Sequence, residues 1–177
     1  MNIVDLNGSP RKGGNTDVLI DQISAGCLQN GHKSKKIHLY SYKIAPCLDC
    51  RQCKEGDHRC PIKDDIPQLM QYLEQADLII FGTPIYWYGP TAKMKLLIDR
   101  LRPYIETRLL AGKKGAIIVP SEEGPGICDP LVKMFEMSFQ YLGMENVGAF
   151  LTTAYEKGEI LQNAGEMDRA FEFGNQF

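Results

Sequence analysis

Two short stretches, DLIIFGT at 77–83 and KGAIIVP at 114–120, constrain this chain more than any other feature. Each holds an unbroken apolar run rich in Ile and Val, where a strand with one wet face would alternate. Continuous runs of that length mark strands covered on both faces, the signature of a parallel sheet between two helical layers. The segments between and around them read as helices. From Thr16, the residues Val18, Leu19, Ile23, Cys27 and Leu28 share one face, and Asn30–Gly31 supplies the stop. Further helices are expected at 65–75 with Pro67 in the first turn, 91–101, 127–142 and 163–173. Strands are expected at Ile3–Leu6, in SKKIHLY (34–40), in the two apolar runs, and in ENVGAFLTT (145–153). The alternation predicts a three-layer, doubly wound α/β fold with a five-stranded parallel sheet in the order 2-1-3-4-5.

At 177 residues, with no repeat, low-complexity tract or linker, residues 1–177 read as one domain. A net charge of −2 and a pI near 5.9 give no electrostatic case for nucleic acid or an anionic membrane. The opening MNIVDLNGSP lacks a basic segment followed by a long apolar run, and no stretch approaches the roughly 18–20 apolar residues of a membrane span. A cytoplasmic protein with reduced thiols is the expectation. There, clustered cysteines bind metal or do redox chemistry more often than they form a disulfide framework.

The segment GSPRKGGNT (8–16) joins the first strand to the first helix, where helix N–H groups and the helix dipole favour an anion. Ser9 and Thr16 offer hydroxyls, Asn15 an amide and Arg11 a charge, while Gly13 and Gly14 let the backbone curl. A Walker A loop is excluded because Asn15 follows Gly14, and the glycine spacing does not make G-x-G-x-x-G. What remains is a loop for a terminal monophosphate, or a plain turn with Thr16 as the helix N-cap. The segment GTPIYWYGP (82–90) follows the third strand. In the order 2-1-3-4-5, strands one and three flank the topological switch point where ligands bind. Residues Thr83, Pro84, Ile85, Tyr86, Trp87, Tyr88 and Gly89 therefore face the phosphate loop across a crevice suited to a flat heteroaromatic phosphate, with FMN as the obvious candidate. The alternative is that these aromatics make a subunit contact or cap the sheet. A third loop, PSEEGPG (120–126), is expected to close over the ring edge through Ser121 and Gly124.

Cys47, Cys50, Cys53 and Cys60 fall within fourteen residues as C-x2-C-x2-C-x6-C, followed by Pro61. The spacing lets four thiolates surround one small inorganic core, and its nearest relative is the ferredoxin run C-x2-C-x2-C-x3-C-P. Structural zinc and a catalytic dithiol are the competing readings. Cys27 and Cys128 read as buried structural residues, Asp64–Asp65 as a helix start rather than a carboxylate pair, and Asp99–Arg100 as a helix ending or else a surface ion pair. His32, His38 and His58 have no ligand spacing.

Together, NGSPRKGGNT, CLDCRQC with its fourth cysteine and KDD, FGTPIYWYGPTAKMKLLIDR and EKGEI resemble the NAD(P)H-dependent FMN reductase superfamily, and within it the iron–sulfur flavoprotein family. The resemblance implies a flavodoxin-like fold, FMN phosphate on Ser9, Arg11, Asn15 and Thr16, and the isoalloxazine on Pro84, Ile85, Tyr86 and Trp87. It also implies a [4Fe–4S] cluster on Cys47, Cys50, Cys53 and Cys60. The expected function is FMN-dependent oxidoreduction with NAD(P)H or a reduced carrier as donor and a small molecule or protein as acceptor. Such chemistry needs positioning rather than a side-chain acid or nucleophile, so no catalytic residue is expected. A cluster-free FMN or quinone reductase and a flavodoxin-like electron carrier are the alternatives. The family implies a homodimer or homotetramer, with the aromatic loop and terminal helix as candidate contacts.

Overall fold

Leu78–Gly82 is buried at every position because it is the central strand of the sheet. The structure, a computed structural model describing all residues 1–177, places five strands in that sheet. They are β1 (Asn2–Asn7), β2 (Lys33–His38), β3 (Leu78–Gly82), β4 (Lys114–Ser121) and β5 (Glu145–Thr153). All pairings are parallel and the order is β2-β1-β3-β4-β5, the flavodoxin-like order expected from the sequence. The register sets Asn7 beside Gly82 and Gly82 beside Ile118, so the strands carrying the two main loops end side by side.

Successive residues of β3 point to opposite layers. Leu78 and Ile80 pack with Ile3, Ala116 and Ile118 against α1 (Asn15–Gln29) and α6 (Ala164–Asn175). Ile79 and Phe81 face α2 (Ile66–Gln75), α3 (Ala92–Asp99), α4 (Pro103–Thr107) and α5 (Asp129–Leu142). Phe81, Phe135 and Phe139 form a tilted triangle there with centroids 5.3–5.8 Å apart. On the opposite face, α1 and α6 touch backbone to backbone. A Cβ on Gly26 would lie 2.2 Å from the Phe171 carbonyl oxygen, and one on Gly174 would lie 1.9 Å from that of Ile23. Only glycine fits at either position.

Several boundaries differ from the sequence reading. Gly14, not Thr16, is the N-cap of α1. Leu28 is 52 % exposed, since the buried stripe of α1 ends at Cys27. β2 stops at His38 and continues as a 3-10 turn over Leu39–Ser41. A 3-10 turn at Pro125–Cys128 delays α5 to Asp129, and α4 was not expected. Cys27 and Cys128 are fully buried as expected, and burial pushes the Cys27 thiol up to about 11.

One buried acid makes the fold sensitive to pH. Asp5 on β1 is fully buried, its Oδ2 accepting from Ser24 Oγ at 3.0 Å and from Ser34 Oγ, while Oδ1 has no partner. Burial outweighs the two hydroxyls and raises its carboxyl from 3.8 to about 6. The raised group favours the fold while protonated, and that advantage is lost as pH rises through about 6. Asp5→Asn removes the ionisation. Relative to the parent, the variant should gain up to about 3 kcal/mol between pH 4 and pH 8, each pKa unit being worth about 1.4 kcal/mol. Urea unfolding at the two pH values checks this, and a pH-independent difference would contradict it.

Candidate active site

The loops after β1, β3, β4 and β5 all leave the carboxyl edge of the sheet and enclose a cleft of about 470 Å³. Two hydrogen bonds fasten the first two loops together: Gly8 N–H donates to the Gly82 carbonyl at 2.8 Å, and Thr91 Oγ1 donates to the Gly8 carbonyl at 2.6 Å. The turn at 8–14 closes on Asp17, whose carboxylate accepts from Gly13 N–H at 2.7 Å, Asn7 Nδ2 at 3.0 Å and Lys36 Nζ at 2.7 Å. Burial works to raise that carboxyl, but Lys36 and the Gly13 N–H hold it below the usual carboxylate range. Asp17 thereby braces the loop from within the protein.

The first bond closing onto α1 runs from Val18 N–H to the Gly14 carbonyl at 3.0 Å. The N–H groups of Asn15, Thr16 and Asp17 therefore have no acceptor in the helix. Thr16 is only 2 % exposed, lines the cleft, and its hydroxyl has no protein partner. Across from it, Ile85–Tyr86 and Gly89–Pro90 form a minimal antiparallel hairpin. Its turn residues Trp87 and Tyr88 have φ of +49° and +61°, the sign pattern of a type I′ turn, which is uncommon for bulky side chains. The turn holds Trp87 96 % exposed at the rim of the cleft.

Of the expected cofactor residues, Ser9, Arg11, Asn15, Thr16, Pro84, Ile85, Tyr86, Trp87, Tyr88 and Ser121 line this cleft. Four do not. Thr83 is fully buried and braces the loop, donating to the Pro84 carbonyl at 2.9 Å and accepting from Thr91 N–H at 3.1 Å. Gly14 is buried under Arg11, and Gly89 belongs to the hairpin ladder. Gly124, at φ +86°, turns its carbonyl onto the Ser121 hydroxyl at 2.6 Å, so that hydroxyl is already engaged. The Asn15 amide is engaged as well, with the loop after β5. That loop brings Tyr155 and Lys157 to the cleft, and Glu122 and Glu123 enter from the loop after β4. None of these four was expected at the site. The EKGEI segment was visible in the sequence, but nothing local ties it to a loop 145 residues earlier.

The cysteine segment lies between β2 and α2 and is pinched at its neck. Lys43 and Asp65 exchange two hydrogen bonds, at 2.6 and 3.0 Å. Asp64 accepts from Ala45 N–H at 2.9 Å and from Arg100 at 2.6 and 3.2 Å, while Arg100 also donates to the Ala45 carbonyl at 2.8 Å. Both members of this pair are essentially inaccessible. Asp64 is thus more than a helix start, and Arg100 is not a surface residue; Asp99 pairs instead with Lys95 at 2.5 Å. Burial works to raise the Asp64 carboxyl, but Arg100 and two backbone N–H groups hold it below the usual range. Within the loop Cys53 is buried, Cys47 and Cys60 are half-buried, and Cys50 is exposed. No three His, Cys, Asp or Glu side chains converge as a metal-ligand group. The four thiols are the donor type an iron–sulfur cluster takes. Burial raises the Cys53 thiol, and Cys60 and Cys47 stand close enough for their charges to raise it further, but the four do not stand gathered as ligands in this arrangement.

A parallel sheet in this order, with free N–H donors after β1 facing an aromatic hairpin after β3, defines a flavodoxin-like mononucleotide cleft. The family model described as NADPH-dependent FMN reductase matches residues 1–155, and the chain belongs to that family. An iron–sulfur flavoprotein of Methanocaldococcus jannaschii is 31 % identical over 89 % of this chain and 81 % of its own. A Bacillus subtilis protein, named as an NAD(P)H-dependent FMN-containing oxidoreductase, is 32 % identical over 92 % of this chain and 91 % of its own. Among solved structures, the Trp repressor binding protein of Bacillus subtilis superposes with a TM-score of 0.72 at 28 % identity, covering 98 % of both chains. An NAD(P)H:quinone oxidoreductase from Methanothermobacter marburgensis shares the fold, with a TM-score of 0.78 at 18 % identity over 99 % of this chain and 94 % of its own. The family makes the chain an FMN-dependent oxidoreductase that uses NAD(P)H. The residues present fit FMN: free N–H and hydroxyl donors for a phosphate, and an apolar, aromatic wall for a ring. No helix is long and apolar enough to cross a membrane.

Proposed function

We propose that FMN binds in this cleft with its phosphate on Ser9, Arg11, Thr16 and the main-chain N–H groups at the start of α1. Its ring lies against Pro84, Ile85, Tyr86, Trp87 and Tyr88, with the 120–127 loop along one edge. The observation that carries the reading is the Thr16 hydroxyl, unpartnered on a residue otherwise buried, beside three N–H groups without acceptors. Held by these residues, FMN would supply the hydride-accepting and electron-donating chemistry between NAD(P)H and a small-molecule or protein acceptor. The protein's own part is to fix the phosphate, exclude water from one ring face, and leave the rim open at Trp87 for donor and acceptor. Residues 1–177 act as one unit in the cytoplasm, as a homodimer or homotetramer.

The test is turnover by purified, FMN-loaded protein with NADH or NADPH and a quinone or ferric acceptor. Nicotinamide oxidation supports the enzyme. Bound FMN without it leaves an electron carrier, and failure to retain FMN overturns the reading. A second proposal concerns the cysteine loop, which we read as a [4Fe–4S] site on Cys47, Cys50, Cys53 and Cys60. It is supported by their spacing and by relatives named as iron–sulfur flavoproteins. Because the thiols are not gathered as ligands in this structure, the loop has to rearrange for such a site to form. Protein purified without oxygen should then carry about four irons and matching sulfide per chain; iron-free protein that takes up none on reconstitution leaves a cluster-free reductase.

A further inference from the structure

The loop after β5 is held by side chains of the phosphate loop itself. Asn15 Nδ2 donates to the Glu156 carbonyl at 2.9 Å, and Asn15 Oδ1 accepts from Ile160 N–H at 3.2 Å. Each end of this amide makes one bond to the loop, leaving one Nδ2 hydrogen unused, on a residue only 8 % exposed. Arg11 Nη1 adds a bond to the Tyr155 carbonyl at 3.2 Å. Within the loop, Glu159 accepts from the N–H groups of Tyr155 and Glu156, both at 2.8 Å, and Gly158 turns the chain at φ +76°. The result is a compact turn that exposes Tyr155, Glu156, Lys157 and Glu159 and sets Lys157 beside Tyr155 at the cleft. The Lys157 side chain lies over the phosphate loop, with Cε 3.9 Å from the position of a Cβ on Gly13, and it lines the cleft alongside Ser9, Arg11 and Thr16. The Lys157 ammonium makes no hydrogen bond or ion pair with the protein.

We propose that Lys157 is a second cation for the phosphate subsite, and that Asn15 is the positioning residue that latches its loop there rather than a phosphate donor. The inference rests on the FMN reading and changes its chemistry. A dianionic phosphate monoester held by hydroxyls, N–H groups and one guanidinium retains charge that a second cation offsets. Glu122 and Glu123 enter from the loop after β4, whereas Arg11 and Lys157 lie at the phosphate loop, which favours placing the anionic end of the ligand there.

FMN and riboflavin differ at this subsite only by the phosphate, so their dissociation constants for each variant isolate it. Lys157→Ala should weaken FMN about tenfold and leave riboflavin unchanged, while Lys157→Arg keeps the preference for FMN. Asn15→Ala should lower the same preference, and the double variant should bind FMN no more weakly than the weaker single variant, because the latch acts through the lysine. In flavin-free protein, amide exchange over 155–160 should accelerate in Asn15→Ala and not in Lys157→Ala, a readout that does not depend on the cofactor. An unchanged FMN-to-riboflavin ratio in Lys157→Ala overturns the assignment of the lysine. Additive losses with unchanged exchange in Asn15→Ala would return Asn15 to the phosphate. A parent protein with no preference for FMN removes the FMN reading itself, and this inference with it.

Discussion

Arg100→Met is expected to lower the unfolding free energy by about 3–5 kcal/mol, because it strands a carboxylate in the interior. Asp64 has no accessible surface, and after the substitution its only partners are the N–H groups of Ala45 and Ile66. The effect extends beyond one ion pair. Arg100 also donates to the Ala45 carbonyl, so the same guanidinium ties the segment entering the cysteine loop to the residue leaving it. Equilibrium unfolding in guanidinium chloride gives the size of the loss, and hydrogen exchange at Ala45 tells whether the neck opens. Replacing both partners, as in Asp64→Leu with Arg100→Met, should recover much of the loss, since an apolar pair leaves no buried charge. The pH dependence has a definite sign. The Asp64 carboxyl is depressed in the fold, so its contribution is present above the unfolded pKa and is lost as pH falls through the folded value. The difference between Arg100→Met and the parent should therefore shrink in acid. A loss below about 1 kcal/mol at neutral pH, the range of surface pairs, would mean that the pair is hydrated and the neck held by other means.

That ion pair also marks where the sequence stops being legible. The apolar runs at 78–81 and 116–119 announce buried strands because parallel sheets leave no wet face, and the five-strand order follows. Local chemistry likewise exposes the turn after β1 and the aromatic hairpin after β3, since glycine, proline and hydroxyl residues cluster at fixed offsets. Arg100 looks like a surface residue because its partner lies 36 positions away, and nothing near Asn15 in the sequence shows that its amide also bonds residues 141 and 145 positions away. Side-chain type reports the capacity for a hydrogen bond, not its destination. The cysteines show the same limit in another form. Their spacing gives the number of thiols and the length of the tether, but the path of the loop between them turns on positive φ at Asp49, Arg51 and His58, which no pattern of apolar residues encodes. Thr83 and Gly124 are near misses of a different kind. They sit in the right loops yet shape them from beneath, because a loop that presents some side chains to a ligand has to anchor itself with others.

Thr16→Leu should weaken FMN binding by about a hundredfold or more, and it is the most direct test of where the phosphate sits. The Thr16 methyl faces the end of β3, where a Cβ on Gly82 would lie 3.2 Å from Cγ2. A longer side chain has no room in that direction and must extend into the mouth of the cleft, over the free N–H groups of α1. It therefore removes a donor and occupies the anion's place together. Thr16→Val separates the two effects, because it keeps the shape and loses only the hydroxyl. A charge-assisted hydrogen bond is worth about 1.5–3 kcal/mol, so Val should cost roughly ten- to a hundredfold in FMN affinity. Riboflavin, which lacks the phosphate, should bind the Val variant as it binds the parent. Thr16→Ser, which restores the hydroxyl, should return FMN affinity to within a few-fold of the parent. Fluorescence titration of the flavin measures each constant, with circular dichroism to verify that the variants keep the fold. Unchanged FMN affinity in Thr16→Leu would take the phosphate off this loop. Equal losses for FMN and riboflavin in Thr16→Val would move the Thr16 hydroxyl from the phosphate to the flavin ring or its ribityl chain.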